Sequence, residues 1–183
     1  MTPAGFVLTG GRSTRMGRDK SQLPVGGGAL ADHIVHVLQQ IASPVQLVGG
    51  PAGLPDLYPG FGPVGGILTA LRASESGWNL VVACDMPCVT KEVLQALLQA
   101  ALRNEANCIV PRTPDGRQHP LCAVYHQRAE PDFSAAVDRG IHTLRSAIRL
   151  TAHEFLDYSD ATPFRNINTP EDWAAYLDAT HAT

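Results

Sequence analysis

Charge is scarce in this 183-residue chain: Asp, Glu, Lys and Arg together make up 17% of it, and the formal net charge is −3. A protein that grips polyanions with its general surface needs an excess of cations, so broad nucleic-acid affinity is excluded. Long apolar runs are missing too. No segment has the roughly 18 uninterrupted apolar residues needed to span a bilayer, which argues against a membrane partner and for a cytoplasmic location. The start, Met1-Thr2-Pro3, leads into a short apolar run that soon meets glycines and arginines, unlike a signal peptide. Cysteine is limited to Cys84, Cys88, Cys108 and Cys122, in apolar surroundings and without the spacing of a zinc site or a disulfide framework, so reduced and largely buried thiols are expected. No internal repeat or low-complexity linker interrupts the chain. What is present is 44% apolar residues, enough to build one domain over residues 1–183 around a substantial core.

Phe6-Val7-Leu8, Val45 to Val48, Leu80 to Ala83 and Cys108-Ile109-Val110 read as short buried strands. Between them lie helical patterns: Leu30, Ile34, Val37, Leu38 and Ile41 on one face, then "VGGILTALRAS", whose early glycines permit close packing. The third pattern has Leu94, Leu97, Leu98, Ala101 and Leu102 behind Thr90 as N-cap. This alternation predicts a three-layer α/β/α fold of Rossmann-like type, with a mostly parallel sheet whose ligands gather at the carboxyl ends of its strands. Further on, "PLCAVYH" reads as a strand, the neighbourhoods of Gln127 to Arg139 and Thr143 to Ile148 as helical, and "HEFLD" as an edge strand. Thr169-Pro170-Glu171-Asp172 opens a last helix with a cap, a first-turn proline and early acids, and Trp173, Tyr176 and Leu177 should dock it on the body.

The scarce cations are concentrated. Arg12, Arg15, Arg18 and Lys20 share a glycine-rich segment with one anion, Asp19, so residues 12–20 carry +3 and the rest of the chain −6. A Walker loop fails on spacing, because Gly11 and Gly17 are separated by five residues and Arg18-Asp19 precedes Lys20-Ser21. A dinucleotide fingerprint fails because no G-x-G-x-x-G follows the first strand. Backbone N–H groups of a glycine turn with Arg and Lys side chains around a polyphosphate use every cation, while a plain solvated basic loop is the bland alternative. Asp85, at the end of a buried strand and followed by Met86-Pro87, suits a magnesium ion that keeps waters and phosphate oxygens; a turn former or helix cap is the competing role. Asp56 sits in turn-prone "LPDLYPG", where a carboxylate also organises its own loop. His33, His36 and His119 show no ligand set and are read as structural or solvent-facing.

The stretch "LTGGRSTRMGRDKSQL" resembles the signature L-(A)-G-G-x-S-x-R-M-G-x-D-K-x-x-L of molybdenum cofactor guanylyltransferases, in the nucleotidyltransferase superfamily. Thr9 replaces the usual alanine, and Gly11 favours the guanylyl over the cytidylyl branch. Three further stretches are similar in the expected order: "DLYPGFGPVGGI" with Val64 for leucine, "CDMP", and "NINTPED". "HPLCAVY" is similar to the segment that borders the pterin side. Where some relatives place an asparagine after the second strand, this chain has Gly49-Gly50, and no contact is carried over there.

The resemblance implies transfer of GMP from GTP to molybdenum-bound molybdopterin, with pyrophosphate released. It implies Asp85 as the Mg2+ ligand, with Arg15, Lys20 and Asp85 as the catalytic group. It places Leu8, Thr9, Gly10, Gly11, Lys20, Asp56 and Asp85 around the nucleotide, with Asn166 and Asn168 as active-site neighbours. If Asp56 meets guanine, its carboxylate is the right acceptor for the N1–H and N2 amino edge. Residues to about 110 would hold the nucleotide, and those from about 111 the acceptor and the final helix. Molybdoenzymes or their chaperones are the implied further partners. Two readings compete: a cytidylyl or sugar-phosphate nucleotidyltransferase, and a non-catalytic GTP-binding protein that delivers cofactor.

Overall fold

The computed structural model describes residues 2–9, 24–25 and 28–181. The elements are β1 (Ala4–Leu8), β2 (Pro24–Val25), β3 (Gly28–Ala29), α1 (Leu30–Gln39), β4 (Val45–Val48), α2 (Pro63–Ala73), β5 (Trp78–Ala83), α3 (Lys91–Arg103), β6 (Cys108–Arg112), β7 (Cys122–His126), α4 (Glu130–Asp138), α5 (Leu144–Ile148), β8 (His153–Asp157) and α6 (Pro170–His181). Six of these strands form one sheet in the order β4-β1-β5-β7-β6-β8. β4, β1 and β5 run parallel to one another, as do β6 and β8, whereas β7 is antiparallel to both its neighbours. The expected α/β architecture is therefore present, with one reversed strand in its middle.

Strand alternation divides the core in two. Val7, Leu80, Val82, Ile109 and Val124 face Ile34 and Leu38 of α1 and Leu94 and Leu97 of α3. Their strand neighbours Phe6, Val81, Cys108, Val110 and Tyr125 face Ile67, Leu68 and Leu71 of α2, Phe133 of α4 and Ile148 of α5. Each face of the sheet thus buries its own set of side chains, as the period of two requires.

Three expectations need correction. Leu102 is 66% exposed, because it points away from the α3 stripe of Val93, Leu94, Leu97 and Ala101. Ile41 lies beyond α1, in the turn after Gln39, and is half-buried. The β2–β3 pair was not anticipated; its register pairs Pro24 with Ala29 and Val25 with Gly28. By contrast, Thr90 caps α3 as expected, accepting from the Val93 N–H at 3.5 Å. Trp173 and Tyr176 of α6 pack against Leu30 and Ile167.

The early glycines of α2 do permit close packing. A Cβ on Gly65 would stand 2.7 Å from the Tyr58 carbonyl oxygen and 3.0 Å from the Tyr58 Cβ. Alanine is ordinarily better than glycine inside a helix by about 1 kcal/mol, but overpacking a tight contact costs about 1–3 kcal/mol. Gly65→Ala is therefore expected to lower the unfolding free energy in urea titrations by about 1–2 kcal/mol. A stabilised variant would show that the loop before α2 yields freely.

Candidate active site

The carboxyl ends of β4, β1 and β5 are tied together. The Thr9 N–H donates to Val48 O at 2.9 Å, and Cys84 N–H donates to Leu8 O at 3.1 Å. The Thr9 hydroxyl lies 2.7 Å from Gly49 O and 3.1 Å from Val48 O. Thus the threonine that departs from the usual alanine links two strand ends. Gly49 and Gly50 have φ of 82° and 69°, and a Cβ on Gly50 would come within 3.1 Å of the Thr9 oxygen. Two of the departures from the family pattern, Thr9 and Gly49-Gly50, are packed against each other.

Asp85 follows β5 in a tight turn, with Met86 N–H donating to Ala83 O at 3.3 Å. The far end of the chain returns to it twice: Asn166 Nδ2 donates to Asp85 Oδ1 at 3.0 Å, and Ile167 N–H donates to Asp85 O at 2.8 Å. Asp85 does not cap α3, whose start belongs to Thr90. The same loop is held from the other side by His33 of α1, whose Nε2 lies 3.1 Å from Pro87 O; a carbonyl only accepts, so Nε2 carries the proton. His33 is thus structural, as expected, but it braces the candidate metal loop. Asn168 uses its backbone differently: its N–H and that of Thr169 both donate to Asp172 Oδ2 at 2.9 Å, capping α6.

Among the described residues no group of three or more His, Cys, Asp or Glu side chains converges. A metal at Asp85 would therefore complete its shell with water and substrate oxygens, which fits a hard, strongly hydrated cation such as magnesium better than zinc. Carboxylate and amide oxygens are the donors that such a cation prefers.

Asp56 lies after β4, on the flank of α2. Its Oδ1 accepts from Tyr58 N–H at 2.9 Å and from the Thr69 hydroxyl at 3.3 Å, and Thr69 Oγ1 in turn accepts from Leu57 N–H. Burial raises its carboxyl above the usual range, against the opposing bond from Thr69. The carboxylate organises its own loop, and it makes no described contact with Asp85 or Asn166. Gly10, Gly11, Arg15 and Lys20, with Arg12 and Arg18, lie outside the described residues.

A cleft of about 460 Å3 opens beside Asn166. Its walls come from the segment after Asp85, from the connection between β6 and β7, and from the segment leading into α6, including Cys88, Thr113, Arg117 and Arg165. Sequence reasoning overlooked the β6–β7 connection "TPDGRQHP", although its Asp-Gly pair is a recognised turn signal. Cys84, Cys108 and Cys122 are buried and Cys88 half-buried, and none of the four forms a disulfide.

The model of the MobA-like NTP transferase domain matches residues 5–155. The chain belongs to that family. It is accordingly a nucleotidyltransferase, and its fold of strand-end loops around Asp85 is the fold of that enzyme class. A relative from Mycobacterium tuberculosis H37Rv, named "Probable molybdenum cofactor guanylyltransferase", is 34% identical over 180 residues, covering 91% of this chain and 89% of its own. Molybdopterin-guanine dinucleotide biosynthesis protein A from Archaeoglobus fulgidus superposes with a TM-score of 0.84 at 24% identity, over 98% of this chain and all of its own. Rv0371c of M. tuberculosis H37Rv, in a complex with manganese, superposes at 0.66 with 17% identity, over 98% of this chain and 100% of its own. Among the described residues no helix is long and apolar enough to cross a membrane.

Proposed function

We propose that this nucleotidyltransferase moves GMP from GTP onto the terminal phosphate of molybdenum-bound molybdopterin, forming a guanine dinucleotide cofactor. An acceptor phosphate oxygen attacks the α-phosphorus, the bond from that phosphorus to the bridging oxygen of the β-phosphate breaks, and pyrophosphate leaves. The observation that carries the reading is Asp85, fixed at the end of β5 by Asn166 and Ile167 and flanked by the cleft. The relatives' names agree with guanylyl rather than cytidylyl transfer.

Two anionic phosphates must meet, so the protein's task is charge neutralisation and in-line placement rather than proton abstraction. Arg15 and Lys20 would face the developing charge on the triphosphate, and the backbone of Leu8, Thr9, Gly10 and Gly11 would surround the nucleotide. Asp56 would accept from the guanine edge with the lone pairs its own loop leaves over. Asp85 would hold Mg2+, which supplies charge neutralisation between phosphate oxygens when bound. Asn166 keeps the Asp85 carboxylate aimed, and Asn168 borders the same cleft. The attacking phosphate is already ionised, so no serine or histidine nucleophile is required. The nucleotide side would lie in residues up to about 110 and the acceptor side beyond. The cytoplasm is the compartment that fits this chemistry, and molybdoenzymes or their chaperones would receive the product.

With GTP labelled at the α-phosphate, molybdopterin and magnesium, the label is expected to appear in a pterin dinucleotide, and CTP should substitute poorly. Binding of GTP without any transfer of label would instead favour a delivery protein.

A further inference from the structure

Across the cleft from Asn166, the segment joining β6 to β7 forms a compact hairpin. Thr113 N–H donates to Arg117 O at 3.0 Å and Gly116 N–H to Thr113 O at 2.8 Å, while Arg112 and Gln118 form a bridge. These backbone bonds close the turn by themselves. The side chains add a further chain of contacts. Thr113 Oγ1 lies 2.6 Å from Asp115 Oδ1, 3.2 Å from Arg117 O and 3.0 Å from His119 Nε2. A carboxylate only accepts, so the shortest of these contacts takes the threonine proton, and His119 Nε2–H donates to Thr113. Arg117 N–H adds a second bond to Asp115 Oδ1, at 3.1 Å.

Thr113 and His119 are buried, at 3% and 6% exposure, and the imidazole is stacked on Phe164 at 4.6 Å. They form a rigid base beneath an exposed carboxylate at the cleft wall. The Thr113 hydrogen bond, followed by that from Arg117, holds Asp115 below the usual carboxylate range, so it is ionised at neutral pH. Burial, then the charge of Arg117, pushes the His119 imidazole below its usual range.

The other carboxylate on this wall, Asp172, is committed to the α6 cap. Asp115 is left with the lone pairs of Oδ2, and its described bonds all fall on Oδ1. We infer that Asp115 reads the acceptor's heterocycle, accepting from the adjacent ring N–H and amino group of its 2-amino-4-oxopyrimidine edge, with Thr113 and His119 as positioning residues. This rests on the pterin-acceptor reading above. Oδ2 is the oxygen open to this edge, and an ionised acceptor gives the stronger form of the contact. The same charge repels the terminal phosphate, so the substrate lies with its ring at the hairpin and its phosphate toward Arg165 and Asn166. One aspartate thereby sets both recognition and direction.

The test uses the full chain and molybdopterin itself, titrated anaerobically and followed by pterin fluorescence. Asp115→Asn and Asp115→Ala are expected to weaken molybdopterin binding roughly ten- to a hundredfold, with GTP affinity within about twofold of wild type. Thr113→Val, which leaves Asp115 in place but unaimed, should weaken it about three- to tenfold, and Thr113→Ser should restore it. Molybdopterin affinity unchanged in both Asp115 variants would overturn the assignment. If the wild-type protein binds molybdopterin but transfers no label from GTP, the transferase reading fails while the Asp115 titrations still decide this one. If the wild type binds no molybdopterin, both fail.

Discussion

Asp85→Ala is expected to reduce transfer of labelled GMP by about a thousandfold or more, with the protein still folded. At Asp85 the turn after β5 meets the chain's return through Asn166 and Ile167, two residues that also line the cleft. Removing its carboxylate takes away the sole described anionic ligand at that point, so the two phosphates would approach with no bound cation between them. The stability cost should be small, about 1 kcal/mol, because the backbone bond from Ile167 to Asp85 O remains when the Asn166 contact is lost. Asp85→Asn isolates the effect further, since its amide oxygen can still accept from Asn166 Nδ2 while the charge is gone. Rates measured against magnesium concentration, alongside thermal unfolding, separate the two contributions. Ordinary turnover in either variant would remove the metal assignment.

The second large effect concerns Lys20→Ala, expected to raise the KM for GTP and to lower kcat, together costing about a hundredfold in kcat/KM. Outside residues 12–20 the chain carries a net −6, so that segment is the strongest concentration of positive charge the sequence offers a triphosphate. An ammonium is a compact point charge, suited to phosphate oxygens whose positions shift as charge moves from the α- to the β-phosphate. Lys20→Arg should recover part of the loss, because charge is kept while shape changes. GTP titration and single-turnover rates in the same variant check the claim, and an unchanged pair of values would return the segment to a plain solvated loop.

Much of the scaffold was legible because it is written locally. The buried runs at Phe6-Val7-Leu8 and Leu80 to Ala83 and the Thr90 cap are short-range patterns that packing reinforces. The misses are cases where a local pattern is outvoted. Leu102 continues an apolar sequence but falls on the outer side of α3 once Leu94 and Leu97 have chosen the core. The Pro24–Ala29 pairing is two residues long on each side, too short for periodicity to register. "PLCAVYH" announced a strand but not its direction, since nothing local tells β7 to run against β5 and β6. For the site, residue types alone left Asp85 divided between a metal and a turn, and only the family resemblance favoured the metal. The Asn166 contact, 81 residues away in sequence, is a tertiary event. The Thr113–Asp115–His119 group was missed because its members have meaning only once the hairpin has folded.

The clasp of Asn166 and Ile167 on Asp85 has a consequence for the order in which the protein is made. β1, β4 and β5 leave the ribosome well before residues 166–167 exist, so Asp85 emerges ahead of the segment that clasps it. The loop after β5 therefore acquires its braces at different times, His33 from a segment made before it and Asn166 from one made 81 residues after Asp85.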